Sequence, residues 1–106
     1  MSNNFIAVFY VPYPTKESAE VVANQLLNNK LIACANFLAS ESHYLWNGKK
    51  ETDSEIIAIF KTLNHKKEMV LKSIEENHPY DTPFVGSFTM EVNVKYIEWM
   101  QSIVES

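Results

Sequence analysis

Arginine is absent from the sequence, and all nine basic residues are lysines. The planar guanidinium of arginine is the usual bidentate partner of carboxylates and phosphates, and nucleic-acid surfaces need a positive field. Thirteen acidic residues outnumber the lysines and give a formal net charge of −4 at pH 7. We therefore expect no nucleic-acid partner, no RNA-recognition module and no phosphate chemistry of the acylphosphatase type.

Glycine and cysteine are also scarce. The two glycines, Gly48 and Gly86, cannot build a Gly-rich phosphate loop or a dinucleotide fingerprint, so we expect no organic cofactor. The single cysteine, Cys34, cannot form an intramolecular disulfide, which is typical of proteins in a reducing cytoplasm.

Long apolar runs are missing as well. No stretch approaches the about 20 apolar residues that a membrane-spanning helix needs. The polar residues 1–4 lack the basic region of a signal peptide. We therefore expect a cytoplasmic protein with no membrane association. The 106 residues, 46% of them hydrophobic, suffice for one compact core, so residues 1–106 are predicted to form a single domain.

Apolar periodicity predicts the elements of the first half. Residues 5–11 form a continuous β-type run that Pro12 stops, and Thr15 is positioned to cap the helix that follows. Residues 31–46 and 55–62 are the next two predicted strands. Their long hairpin is expected to contact a partner chain, because such a ribbon exposes more surface than a monomer usually tolerates.

The turn of that hairpin and the second half complete the pattern. Asn47-Gly48 favours a type I′ turn. Residues 64–77 are a predicted helix that ends before Pro79, and the alternation over residues 84–92 predicts a strand with one buried face. Asn93 is positioned to cap a final helix. The predicted fold is therefore α+β, a ferredoxin-like βαββαβ antiparallel sheet with an additional C-terminal helix.

Several segments carry a more specific signal than periodicity. Residues 30–36, 44–49, 60–62, 78–83 and 96–99, together with Glu55, resemble signatures of the CutA family of divalent-cation tolerance proteins in order and spacing. The resemblance implies a homotrimer in which the hairpins and sheet edges of neighbours pair, an association with copper or other divalent cations, and no enzymatic reaction. The family is also similar to PII-type signalling trimers.

The sequence departs from the family at two positions. Some members have a cysteine at the end of the first strand and a second histidine before the His-Pro-Tyr segment, and both are associated with copper. Val11 and Asn77 stand at these positions here, so His78 alone remains of that set.

His78 and Cys34 are the candidate metal ligands. Imidazole and thiolate suit copper and zinc, but tight sites usually need three or four ligands. The alternatives are a structural role for His78 at a helix end and an inert core position for Cys34. Glu41 and His43, two apart on a strand, share a face and are a weaker pair. His65 has no ligand-type neighbour in the sequence.

A second candidate site is a cleft between subunits. Lys61 and Glu55 are an even number of residues apart, so their side chains share one strand face. With Tyr80 and Trp46 they are predicted to bind a small anion or a metal complex. The alternatives are a plain Lys–Glu pair and an oligomer contact for Trp46.

Two functions follow as hypotheses. The first is a non-enzymatic trimer that binds copper or other divalent cations and takes part in the response to metal ions. The alternative is a PII-like sensor or scaffold that binds a small ligand between subunits and docks a protein partner.

Overall fold

The structure is a computed structural model that describes residues 4–105; most of the polar start considered above therefore lies outside the described residues. The elements in chain order are β1 (Phe5–Tyr13), α1 (Lys16–Asn28), β2 (Cys34–Trp46), β3 (Lys49–Leu63), a 3₁₀ turn (Asn64–Lys66), α2 (Lys67–Asn77), β4 (Gly86–Glu91) and α3 (Val94–Val104). The strands form one antiparallel sheet in the order β2-β3-β1-β4. The predicted α+β ferredoxin-like fold with an additional C-terminal helix is confirmed.

The strand β1 runs two residues further than predicted, through Pro12 to Tyr13. Its pairing with β4 ends at Tyr10, whereas its pairing with β3 continues to Tyr13. Pro12 therefore lies where β1 has a neighbour on one side only, and a proline without an N–H group is tolerated at such an edge.

The hairpin of β2 and β3 is a two-stranded ribbon that pairs without a break from Cys34–Lys61 to Trp46–Lys49. The strand β3 begins at Lys49, six residues before the predicted start, because the turn holds even its polar first residues in register. Asn47 and Gly48 have φ values of 52° and 77°, as the predicted type I′ turn requires.

The predicted cap of α1 is confirmed and that of α3 is confirmed in position only. The backbone N–H of Ser18 donates to Thr15 Oγ1 at 3.1 Å, and the Thr15 N–H donates to Ser18 Oγ at 3.4 Å, which forms a reciprocal capping box. Asn93 precedes α3 with extended backbone angles, but its side chain makes no capping hydrogen bond.

One face of the sheet is covered by α1 and α2, and we call it the closed face. Its strand residues alternate with those of the other face, as the pleat requires. The residues buried there include Ala7, Phe9, Val11, Tyr13, Val22, Leu26, Ala58, Phe60, Val70 and Ile74.

The opposite face is covered by α3 at one end only, and we call it the open face. Ile97, Met100 and Val104 recur at helical spacing on α3 and form its buried stripe. They pack against Ile6, Val8, Ala33 and Leu63.

Beyond α3 the open face exposes a group of large apolar side chains, Tyr10, Leu38, Phe84, Phe88 and Met90. The prediction that one face of the fourth strand is buried is wrong for the single chain, since every β4 residue after Gly86 is exposed. The physical reason is that β4 is an edge strand and that α3 ends before it covers Phe88 and Met90.

Across the described range 4–105, no helix has the length and apolar character needed to cross a bilayer.

Candidate functional site

A polar network lies at the middle of the ribbon, around Glu55. The Ser42 hydroxyl donates to Glu55 Oε1 at 2.7 Å across the β2–β3 pair. Tyr80, from the loop before β4, brings its hydroxyl to the same carboxylate. Burial raises the pKa of Tyr80, and the charges of Glu55 and Asp53 add to that rise. Two of the predicted ligand residues, Glu55 and Tyr80, are therefore in contact.

The network continues toward the tip of the ribbon. The Tyr44 hydroxyl donates a short hydrogen bond to Asp53 Oδ2. This bond is the main cause that raises the pKa of Tyr44 to about 12, because ionised tyrosine would face the carboxylate without its proton. Glu55 and Asp53 thus line one face of β3, and their carboxylates with the tyrosine hydroxyls offer hard oxygen donors.

Lys61 lies at the other end of the same face. It stands opposite Cys34 in the strand register, and its Nζ is 5.7 Å from the centroid of the Tyr96 ring, a cation–π contact. It lies six positions along the strand from Glu55, a distance of about 20 Å at about 3.4 Å per residue. Lys61 and Glu55 share a face as predicted, but one chain does not bring them into one cleft.

Trp46 is also distant from the centre of the network. It occupies the tip of the ribbon, where it pairs with Lys49 and is 64% exposed. Of the four predicted ligand residues, a single chain therefore places Glu55 and Tyr80 in contact and leaves Lys61 and Trp46 at opposite ends of the ribbon.

Cys34 is half-buried at the base of the ribbon. Its Sγ lies 3.7 Å from Asn36 Oδ1. Burial raises the pKa of Tyr96, and the neighbouring Cys34 adds to this effect through its charge and a hydrogen bond. Cys34 is thus in contact with polar groups rather than fully enclosed by apolar ones.

His78 joins three parts of the fold. Its Nδ1 accepts the Tyr80 backbone N–H at 3.0 Å, so the ring proton is on Nε2, which donates to the Pro12 carbonyl oxygen at 2.8 Å. The ring also stacks on Tyr13, with centroids 4.4 Å apart. Both nitrogens of this buried imidazole are therefore used by the backbone.

The surroundings of His78 do not fit a resident metal ion. A metal bound to the ring would have to replace one of its two hydrogen bonds. His78 lies against the closed face through Tyr13, whereas Cys34 lies on the open face, so the two predicted ligands are not neighbours in one chain. Val11 is buried in the core, and the Asn77 side chain donates to the Ser73 carbonyl of its own helix at 2.8 Å.

Within residues 4–105, no group of three or more histidine, cysteine, aspartate or glutamate side chains is arranged to hold a metal. Two histidine–carboxylate pairs exist. His43 Nε2 lies 2.8 Å from Glu41 Oε1, which confirms that these side chains project from one face. His65 Nε2 lies 3.4 Å from Glu105 Oε2. No local pattern in the sequence indicates the second pair, because its members come from distant parts of the chain.

A cavity of about 520 Å³ lies between the start of α1 and the ribbon. Pro14, Ala39 and Ile56 give it an apolar lining, Lys16 and Glu41 contribute charges of opposite sign, and Glu55 is a further lining residue. Apolar walls with a few polar groups are typical of small-molecule sites. The cavity reaches the same Glu55 that anchors the network on the ribbon.

Comparison with known proteins identifies a family that matches most of the chain. The family model described as "CutA1 divalent ion tolerance protein" matches residues 7–103. The "Divalent-cation tolerance protein CutA" of Thermococcus kodakarensis is 39% identical over 98 residues, which cover 92% of this chain and 94% of that protein. The "Protein CutA, chloroplastic" of Arabidopsis thaliana is 36% identical over 97 residues, which cover 90% of this chain and 53% of that protein.

A solved structure shares the whole fold. The crystal structure of the divalent ion tolerance protein CutA1 from Ehrlichia chaffeensis superposes with a TM-score of 0.91 and 35% sequence identity, and the match covers 97% of this chain and 98% of that one.

Proposed function

The chain belongs to the CutA1 divalent ion tolerance family, and from that premise we propose that it is a non-enzymatic homotrimer that binds copper or other divalent cations as cargo and supports tolerance to them. The observation that carries this proposal is the match to the family over residues 7–103. It also supports one domain over residues 1–106. The family description names tolerance to divalent ions and no reaction.

The trimer is supported by the open face. Leu38, Phe84 and Phe88 are 56%, 63% and 47% exposed in the single chain, although each is a large apolar side chain. Large apolar side chains exposed together on one sheet face are typical of an interface. The edge strands β2 and β4 add unpaired backbone groups that a neighbouring chain can satisfy. Light scattering at micromolar concentration tests this: three chains are expected, and a monomer would overturn the proposal.

Cation binding is supported by the donors that the chain presents. The Cys34 thiol is half-buried, the imidazoles of His43 and His65 are exposed in the single chain, and the His78 ring is buried. Copper and zinc accept nitrogen, sulfur and oxygen donors. Since no tight single-chain site is built around His78 or Cys34, we propose reversible binding with these two residues as the first ligands to test.

The test is a calorimetric titration of metal-free protein with Cu²⁺ and Zn²⁺, alongside His78→Ala and Cys34→Ala. Saturable binding at a whole-number ratio per subunit supports the proposal, and its loss in one variant assigns the ligand. Heat no greater than that of the buffer would contradict cation binding.

We also propose that the protein works in the cytoplasm, which the lone thiol of Cys34 supports. Fractionation of the source cells checks this, and recovery in a membrane-enclosed or secreted fraction would contradict it.

The second candidate function is a PII-like sensor or scaffold. The cavity beside Glu55, its lining by Lys16 and the adjacent Tyr80 favour it, because these groups combine an apolar wall with both charges. A thermal-shift screen with small metabolites tests it, since a ligand that binds the folded state raises the melting temperature in a concentration-dependent way. A specific shift abolished by Glu55→Gln supports this function, and no shift with any compound counts against it.

A further inference from the structure

A second cavity lies at the base of the molecule, far from the ribbon. It has a volume of about 320 Å³ and lies between the 3₁₀ turn after β3 and the end of α3. Phe5, Leu63 and Ile97 form its apolar lining. His65 enters from the turn, and Gln101 and Glu105 enter from the last turns of the helix. A histidine, a glutamine and a glutamate therefore line the same cavity.

The spacing of the two ionisable groups is informative. His65 Nε2 and Glu105 Oε2 are 3.4 Å apart, longer than the about 2.9 Å of an ordinary N–H···O hydrogen bond. Ligand atoms at about 2.0–2.1 Å from a tetrahedral metal ion lie about 3.3–3.4 Å from each other. The observed separation equals that of two ligands on one metal ion, and it also lies within the range of a direct ion pair.

The third donor is placed by helical geometry. Gln101 and Glu105 are four residues apart, so their side chains lie on the same side of α3. The helical backbone continues through this region, where the Glu105 N–H donates to the Gln101 carbonyl oxygen at 3.0 Å. An amide oxygen beside a carboxylate and an imidazole gives a mixed N/O set, which suits zinc, copper or nickel better than magnesium or calcium.

The other histidine–carboxylate pair provides a contrast within the same chain. His43 and Glu41 are 2.8 Å apart, within ordinary hydrogen-bond distance, and lie on an exposed strand face. A direct hydrogen bond between the two side chains accounts for this distance, so no bridging metal ion is needed. Exposure does not distinguish the two pairs, since the side chains of His65 and Glu105 are 57% and 45% exposed and those of His43 and Glu41 are 48% and 67% exposed. The pair at the base differs in its apolar wall and its wider gap, and Lys66 and Lys67, which follow His65 in the chain, do not line its cavity.

We propose that His65, Gln101 and Glu105 form a binding site for a divalent transition-metal ion. The proposal rests on the proposed function in that it gives a place to the cation that the protein binds. A metal ion held there links the end of β3 to the last turn of α3. It therefore stabilises the C-terminal helix as well as loading cargo.

The test is a Zn²⁺ titration of the full-length, metal-free protein followed by ¹H–¹⁵N NMR of the three imidazole rings. We expect the His65 ring signals to shift saturably, and the His78 ring is read in the same spectrum as the competing ligand. Loss of even an outer-shell partner of a metal ligand costs about 10- to 100-fold in metal affinity. Glu105→Gln replaces a proposed charged ligand by a neutral amide, so it is expected to weaken binding at least about tenfold. His43→Ala is the matched control and is expected to bind as the wild type does.

The outcomes separate this site from the proposed function. A His65 shift that Glu105→Gln weakens and His43→Ala preserves supports the site. Saturable zinc binding that shifts only His43 or His78, or that Glu105→Gln leaves unchanged, overturns the site and leaves cation binding intact. Absence of saturable binding in the wild type overturns the site and cation binding together.

Discussion

The two faces of the sheet carry similar apolar side chains in different surroundings. On the closed face, Phe9 and Phe60 are fully buried under α1 and α2. On the open face, Phe84 and Phe88 are about half exposed because α3 covers one end only. The same residue type thus stabilises the fold on one face and remains available for association on the other.

We therefore expect the closed face to stabilise the folded single chain and the open face to stabilise the assembly. The closed face contains the larger buried group, so it is expected to determine whether the chain folds. The open face exposes apolar area that burial would remove from water at about 25 cal/mol per Å². Substitutions on the two faces should therefore change different observables.

The largest effect is expected on the closed face. Phe60→Ala removes a fully buried ring that also packs edge-to-face against Tyr13, and such deletions cost about 3–5 kcal/mol of unfolding free energy. Urea denaturation at one fixed protein concentration measures this. Leu45→Ala at the exposed ribbon tip is the control and should cost less than about 0.5 kcal/mol. Equal losses of unfolding free energy in the two variants would show that the buried ring of Phe60 contributes no more to stability than an exposed side chain does.

The second substitution addresses the open face. Phe88→Glu introduces a charge where neighbouring chains are proposed to meet, so we expect sedimentation to report monomers with an unchanged far-UV circular dichroism spectrum. Val21→Glu places the same charge on an exposed apolar position of α1 and should leave the trimer intact. A trimeric Phe88→Glu protein would show that assembly uses another surface.

The third substitution tests the contact that His78 makes between β1 and the loop that carries Tyr80. His78→Phe keeps a ring beside Tyr13 but leaves the Pro12 carbonyl and the Tyr80 N–H without their partner. An unsatisfied buried polar group costs about 1–3 kcal/mol, so thermal or urea unfolding should show a loss of that size. His43→Phe on the exposed ribbon is the comparison and should be near neutral. Unchanged stability in His78→Phe would show that the hydrogen bonds of this imidazole do not stabilise the fold.

The smallest effect concerns the ribbon alone. The pKa of Tyr44, about 12, lies above its ordinary value of 10.0 because the Tyr44 hydroxyl donates a hydrogen bond to the Asp53 carboxylate. The stabilising hydrogen bond is therefore complete below pH 10 and lost as pH rises through about 12. Asp53→Asn should move the pKa of Tyr44 back toward 10.0 in an NMR titration of the tyrosine ring carbons. If the pKa of Tyr44 does not fall in Asp53→Asn, another group must be what raises it.

Local patterns in the sequence predicted most of the fold. The capping role of Thr15 and the positive φ at Gly48 depend on neighbouring residues, so the sequence reveals them directly. The start of β3 was missed because residues 49–54 are polar and carry no apolar alternation. The exposure of Phe88 was missed because alternation marks an apolar face but does not tell which chain covers it.

The candidate sites were harder to predict because they depend on long-range placement. Side chains alternate between the two faces of a strand, and this rule showed correctly that Lys61 and Glu55 share a face. The rule does not show whether two side chains on that face are close enough to form one site. Contacts between His78 and Pro12, or between His65 and Glu105, join distant parts of the chain. Only the fold brings these groups together.

The most direct measurement of the central claim compares two methionines in one molecule. Met90 on the open face and Met69 on the outer side of α2 are 41% and 55% exposed in the single chain, while Met100 is buried. Under limited peroxide oxidation of the assembled protein, exposed thioethers are expected to convert first to sulfoxides. If the open face is the surface through which chains associate, Met69 oxidises rapidly and Met90 is protected like Met100. Oxidation of Met90 as fast as Met69 would contradict the account.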